Sequence, residues 1–316
     1  MSTQAEDFRR QPPTPLSPRP ISLPSPQETM LANGMTVVIV EDSRLPLVSF
    51  RLAFGFGDAH DPANLPGLSD MLAGLLTEGT ESRTSREIAD DVALMGATLT
   101  AGASSDYTTV AGSALARFSE TILELIADVT MYPSFPEHEV ELIRQNSKES
   151  LKQQRAQPSF LATEMVSRVM FGAHPYSQVA PTPESLDATT RADIADFHRN
   201  KYVPNNAVLI AVGDLRAEDT VKRVEDLFGK WEPGKPVVND FAAVPVRSSR
   251  SAYLIDRPGS AQSNIVIANN GITRTNADYF PLLLMHTVFG ATASSRLFMN
   301  LREEKGYTYG AYSNLD

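Results

Sequence analysis

The sequence predicts an α+β protein made of two copies of one unit, each an antiparallel-rich sheet packed with helices, the second copy incomplete. Three observations predict it. Period-two alternation and helical periodicity are interleaved through residues 28–231 without strict strand-helix-strand order, which points to a layered α+β fold rather than a parallel sheet. Asn33-Gly34 between two β-prone runs marks a hairpin. Finally, the pattern restarts. Tyr253-Leu254-Ile255-Asp256, a polar turn, residues 263–269, Gly271, a loop and the apolar stretch 279–289 retrace Val38-Ile39-Val40-Glu41-Asp42, a turn, residues 48–54, Gly55, a loop and the helix after Gly67. The first copy takes about 200 residues and the second about 80, so roughly 120 are missing from the second. The predicted organisation is a Pro-rich disordered arm over 1–27, a first domain over 28–231, a linker over 232–248 and the start of a second domain over 249–316.

Each element has a local reason. Residues 28–31, the Asn33-Gly34 turn and Thr36-Val37-Val38-Ile39-Val40 form the opening hairpin, and Val, Leu and Phe across 47–54 form a third strand stopped by Gly55-Phe56-Gly57. An apolar helix containing Asp70 follows. A second helix over 85–95 starts at Thr84 or Ser85 with Glu87 in its first turn. Alternation through Thr98, Thr100 and Gly102, and again over 107–113, predicts two antiparallel strands. Helices are predicted over 116–130, 137–155, 158–171, 190–202 and 218–228, with a short buried strand over 207–212. Ser294-Ser295 before Leu297, Phe298 and Leu301, with Gly306 beyond, predicts a helix over 295–305. Tyr309 then stands on a following strand, sharing a face with Tyr307 and Ala311.

Composition excludes several classes. The chain has 316 residues, a formal net charge of −10, 42% hydrophobic residues and no cysteine. The acidic balance argues against a nucleic-acid surface, which needs clustered Lys and Arg. Without cysteine there are no disulfides, thiolate zinc sites or cysteine nucleophiles. No run is long and apolar enough to span a membrane. Residues 1–28 carry seven prolines between Pro12 and Pro26 and no continuous apolar stretch of the kind a secretory signal has, so cytoplasm and periplasm both remain open.

The stretch Gly67-Leu68-Ser69-Asp70-Met71-Leu72-Ala73-Gly74-Leu75-Leu76-Thr77-Glu78-Gly79-Thr80 resembles the zinc-site helix of the pitrilysin/insulinase metalloproteases, where a His, two spacers, a Glu and a second His lie between a Gly-Leu-Ala-like opening and a closing Gly-Thr. Further words match in the family's order: Leu31-Ala32-Asn33-Gly34-Met35-Thr36-Val37-Val38, Phe171-Gly172-Ala173-His174-Pro175-Tyr176, Asp196-Phe197-His198, Tyr202-Val203-Pro204-Asn205-Asn206-Ala207 through Val212-Gly213-Asp214, and Arg296 through Tyr309. The resemblance implies paired homologous domains that enclose a peptide chamber. In bacteria it also implies two-chain assemblies in which one chain carries zinc and the other supplies an Arg and a Tyr, here Arg302 and Tyr309.

In this chain the family's ligand positions hold Asp70, Ala73 and Gly74, and Glu149 falls close to where the third ligand stands. Zinc hydrolysis needs imidazole ligands and a carboxylate base, so the chain reads as a zinc-free, non-catalytic subunit inactive alone. No cofactor is expected here; zinc belongs to a homologous partner, which shares the peptide substrate. Arg302 and Tyr309 then hold a peptide carbonyl or its oxyanion. Their plain alternative is a cation at a helix C-terminus and a core tyrosine. Thr98, Thr100 and Gly102 mark an edge strand that could accept an extended peptide, or an ordinary interior strand. His60, His138, His174, His198 and His286 include no i,i+4 pair, and His174 before Pro175 reads as a turn residue. The other functional class is a structural or peptide-binding module without proteolysis, like the family's core subunits of respiratory complexes.

Overall fold

The computed structural model describes residues 16, 17 and 24–315. Most of the predicted arm over 1–27 lies outside the described residues. The chain falls into two compact units: Met1–Lys152 with Ala180–Asp240, and Gln153–Val179 with Phe241–Asp316.

The first unit is a six-stranded sheet with helices on one face. Its strands are β1 (Gln27–Met30), β2 (Thr36–Glu41), β3 (Leu47–Phe54), β4 (Thr98–Ala103), β5 (Thr108–Leu115) and β6 (Ala207–Gly213). Their spatial order is β1-β2-β6-β3-β5-β4. Every pairing is antiparallel except β2 with β6. The opening hairpin closes as predicted: Gly34 takes φ +87°, where a Cβ is disfavoured, and buried Asn33 donates from Nδ2 to the carbonyl of Phe228 at 2.8 Å.

Alternation decides which face is covered. Val48, Phe50, Leu52 and Phe54 of β3, with Val37 and Ile39 of β2 and Leu209 and Ala211 of β6, are buried. Against them pack α1 (Leu68–Leu75), α3 (Ser119–Met131) and α8 (Ala217–Phe228). In α8 the buried residues Ala217, Thr220, Val224 and Phe228 recur at three- and four-residue spacing. Gly112 of β5 lets α3 come close, since a Cβ there would stand 2.9 Å from Ile122. α2 (Ser85–Met95) starts in the predicted capping box, Thr84 accepting from the Glu87 amide and the Glu87 carboxylate from the Thr84 amide. The remaining helices of this unit are α4 (Glu137–Arg155), whose end passes into the second unit, α6 (Pro183–Ala188) and α7 (Arg191–Lys201). α6 was not foreseen; its signal was Thr182-Pro183, an N-cap followed by proline in the first turn.

The second unit contains α5 (Pro158–Phe171), α9 (Tyr279–His286) and α10 (Arg296–Phe298), which widens into a π-type helix over Met299–Glu304. Ser295 caps α10 by accepting from the Phe298 amide, and Gly306 beyond the end has φ +63°. The strands predicted at 253–256, 263–269 and around Tyr309 are not formed. A strand exists through its ladder, and among the described residues of this unit no strand is present to pair with them. Their apolar side chains accordingly face solvent, Leu254 at 94% and Ile267 at 93% of full exposure.

Candidate functional site

Helix α1 is built at both ends by its neighbours. Gly67 at its N-cap takes φ +94°, and a Cβ there would stand 2.7 Å from Pro181. The Asp61 carboxylate replaces a side-chain cap, accepting from the amides of Gly67 (2.7 Å) and Ser69 (2.9 Å) and from the Ser69 hydroxyl (2.6 Å). Past the helix, Thr80 and Arg83 fasten the chain to α3: the Thr80 hydroxyl donates to Asp128 at 2.9 Å, and Arg83 reaches the same carboxylate at 2.6 Å.

The three positions at i, i+3 and i+4 have different surroundings. Asp70 reaches solvent, Ala73 is 1% exposed, and Gly74 lies under Ile143 of α4, whose Cδ1 is 2.5 Å from where a Cβ would stand. The face therefore presents one donor, the Asp70 carboxylate. Ala73 and Gly74 have none, and a longer side chain at 74 must displace Ile143. Among the described residues no group of three or more His, Asp or Glu side chains could hold a metal ion. This donor set does not fit a zinc ion, which takes three protein ligands in catalytic sites. Glu149 is exposed on α4 and pairs with Lys152 at 3.7 Å. By helical periodicity the stripe that meets Gly74 through Ile143 continues through Ser147 to Ser150 and buried Leu151, which leaves Glu149 beside that stripe.

Sequence reasoning missed an acidic turn ahead of α1. Asp58 opens the short turn Asp58–His60, and its Oδ1 is buried without a hydrogen-bond partner. Burial first, then the charges of Asp70 and Asp61, push its pKa from 3.8 up to about 7. Asp61 rises to about 6, again chiefly through burial, against the lowering effect of the hydrogen bonds it accepts. Crowding by protein around its base also raises Asp70, although the side chain still reaches water. The turn is tied to the end of β4, Asp58 and Ala59 donating their amides to the carbonyls of Ser104 and Ser105 at 2.9 and 3.0 Å. The one legible signal was two aspartates in the loop before a glycine-led helix.

Among the described residues β4 lies at the outer edge of the sheet, paired with β5 alone, and it packs beside α1. Thr98, Thr100 and Gly102 are exposed on the face away from the helices; Thr98 shares a hydroxyl hydrogen bond with Ser113 of β5 at 2.8 Å. In the second unit, the Arg302 guanidinium lies 6.0 Å from the centre of the Tyr309 ring, at the outer limit of a cation–π contact. Arg302 is in the π-type turn, and Tyr309, 86% exposed, is on irregular chain rather than a strand. The histidines are engaged elsewhere. His60 closes the acidic turn, its Nε2 2.8 Å from Oδ1 of Asn239. His198 is held by the Thr130 carbonyl at 2.7 Å and stacks on Tyr202, burial lowering its pKa to about 4. His174 accepts from the Tyr176 amide at 3.2 Å in a turn.

A helix-backed six-stranded sheet is followed by a second unit, and the chain belongs to the pitrilysin/insulinase family. Residues 36–184 match Insulinase (Peptidase family M16), and residues 188–316 match the Peptidase M16 inactive domain. It is 24% identical over 283 residues to an uncharacterized zinc protease of Bacillus subtilis (strain 168), covering 89% of this chain and 68% of that one. With an uncharacterized zinc protease of Mycobacterium leprae (strain TN) the identity is 27% over 295 residues, covering 91% of this chain and 65% of the relative. Probable mitochondrial-processing peptidase subunit beta of Schizosaccharomyces pombe is 23% identical over 272 residues, with 85% and 60% covered. Among solved structures, the peptidase M16 inactive domain from Pseudomonas fluorescens superposes with a TM-score of 0.79 at 25% identity, covering 92% of this chain and 71% of that one. The chain thus spans about two thirds of the length of these relatives.

Proposed function

We propose that this chain is the zinc-free subunit of a two-chain peptidase, contributing Arg302 and Tyr309 to peptide held at the zinc site of a homologous partner. The observation that carries this reading is the contrast between two places in one chain. The α1 face has lost two of three donor positions to Ala73 and Gly74, while Arg302 and an exposed Tyr309 stay side by side. A guanidinium and a phenol donate hydrogen bonds and need no metal of their own, so they can steady the oxygen of a carbonyl attacked elsewhere. The naming of one relative as the beta subunit of a processing peptidase supports a multi-chain assembly. No helix among the described residues is long and apolar enough to cross a membrane.

The test mixes the purified chain with a homologue from the same organism that carries an intact His-x-x-Glu-His helix and follows cleavage of a fluorogenic peptide. The mixture should cleave where neither chain does alone, and Arg302→Ala and Tyr309→Phe should each lower kcat by about 10- to 1000-fold. Equal cleavage with both variants rules out the catalytic contribution, and about one zinc per purified chain rules out the zinc-free assignment. A second reading, a peptide-binding module without proteolysis, is favoured by the free edge of β4, which needs no partner chemistry to pair with an extended segment.

A further inference from the structure

We propose that His286 is a positioning residue for Tyr309: by holding the Ser313 carbonyl it fixes the far end of the loop that carries the phenol. The inference rests on the role given to Tyr309 above and adds the residue that aims it. All the groups concerned lie in the second unit. Tyr309 is 86% exposed on irregular chain, so with no ladder to hold it, its direction depends on how the two ends of residues 306–313 are anchored.

The near end is anchored by the π-type turn. Gly306, at φ +63°, donates its amide to the Arg302 carbonyl at 3.2 Å, and Tyr307 donates to that of Leu301 at 3.0 Å. The far end closes on the end of α9. The Ser313 amide donates to the Gly290 carbonyl at 2.9 Å, and His286 Nε2 lies 2.6 Å from the Ser313 carbonyl. A carbonyl only accepts, so Nε2 carries the proton of this bond. Nδ1 is buried and has no hydrogen-bond partner among the described residues, so no second bond competes for the orientation of the ring. Gly290 lets the loop end sit directly on the backbone, since a Cβ there would stand 2.3 Å from Ser313 Oγ. Between the anchors the loop is braced. The Thr308 hydroxyl donates to the Gly310 carbonyl at 2.9 Å and accepts from the Gly310 amide at 3.2 Å, straddling Tyr309, and the Tyr312 ring meets Phe298 with centroids 5.4 Å apart. Release at Ser313 therefore moves the Tyr309 phenol and spares Arg302, which belongs to the near anchor.

Two measurements on the full chain test this. In residue-resolved hydrogen exchange, His286→Ala should speed exchange of the Ser313 amide about three- to tenfold and leave that of Tyr307 unchanged, which also verifies that the near anchor stays folded. His286→Gln, whose amide nitrogen reaches about as far as the imidazole Nε2, should restore slow exchange, and the shorter His286→Asn should not. Unchanged exchange at Ser313 in His286→Ala, or equal behaviour of the Gln and Asn variants, overturns the anchor. In peptide cleavage with the zinc-bearing homologue, His286→Ala should lower kcat about three- to tenfold with KM changed by less than about twofold, and His286→Gln should recover the loss. The same substitution in a Tyr309→Phe background should cost nothing further. An equal loss in that background overturns the positioning role while leaving Tyr309 in its own. If Tyr309→Phe alone cleaves as well as wild type, the role of Tyr309 falls and the kinetic role of His286 with it, and the exchange measurement still decides whether the loop is anchored.

Discussion

Replacing Asp58 with asparagine removes an ionisation that the first unit resists near neutral pH. The Asp58 Oδ1 is buried with no partner, and burial followed by the charges of Asp70 and Asp61 holds its pKa near 7 rather than 3.8. A carboxyl whose folded pKa lies above its unfolded one binds protons more tightly when folded. Its contribution to stability is therefore complete below about pH 4 and lost as pH rises through about 7. At about 1.4 kcal/mol per pH unit, the displacement from 3.8 to about 7 would correspond to about 4 kcal/mol. Asp58 is only partly enclosed, and water screens the ionised form, which reduces the figure to about 1–2 kcal/mol. The assay is urea unfolding followed by Trp231, the only tryptophan, which packs on Phe54 and Phe228 and so reports the first unit. Wild type should lose about 1–2 kcal/mol between pH 5 and pH 8. Asp58→Asn should lose less and exceed wild type at the alkaline end. It keeps a smaller fall between about pH 4 and 6 from Asp61, whose raised pKa has the same sign. Parallel pH profiles for the two proteins would refute the reasoning.

Two other substitutions test the packing around the site. Gly74→His should destabilise by about 1–3 kcal/mol because its Cβ meets Ile143; adding Ile143→Ala should recover part of the loss, and a coupling energy near zero in the double-mutant cycle would show that the two positions do not touch. Tyr202 buries a hydroxyl with no partner, so Tyr202→Phe should be neutral or stabilising by about 1 kcal/mol in the same unfolding assay, and a loss of about 2 kcal/mol would mean that the hydroxyl is satisfied.

Elements carrying their own local signal were legible in the sequence. Thr84 with Glu87, Asn33-Gly34 and the alternation over 47–54 specify α2, the hairpin and β3 because capping, turn geometry and side-chain period act within a few residues. The Arg302 to Tyr309 approach was also legible from the short turn at Gly306, although the strand expected under Tyr309 was not formed, since β structure requires a partner that local sequence cannot guarantee. The enclosure of Asp58 was illegible. The turn that carries it is tied by backbone hydrogen bonds to Ser104 and Ser105 at the end of β4, distant in the chain, and no periodicity marks that approach.

The sequence by itself determined the α+β class, the positions of most helices and strands of the first unit, and the absence of donor side chains at 73 and 74, because each depends on residue identity and short-range geometry. Only the tertiary structure decided that β6 slots between β2 and β3, parallel to one and antiparallel to the other, which leaves β4 at the edge. It also decided that Ile143 closes over Gly74. Both outcomes arise from burying one face of a sheet against helices that join it from distant parts of the chain, a many-body packing choice that no local window contains.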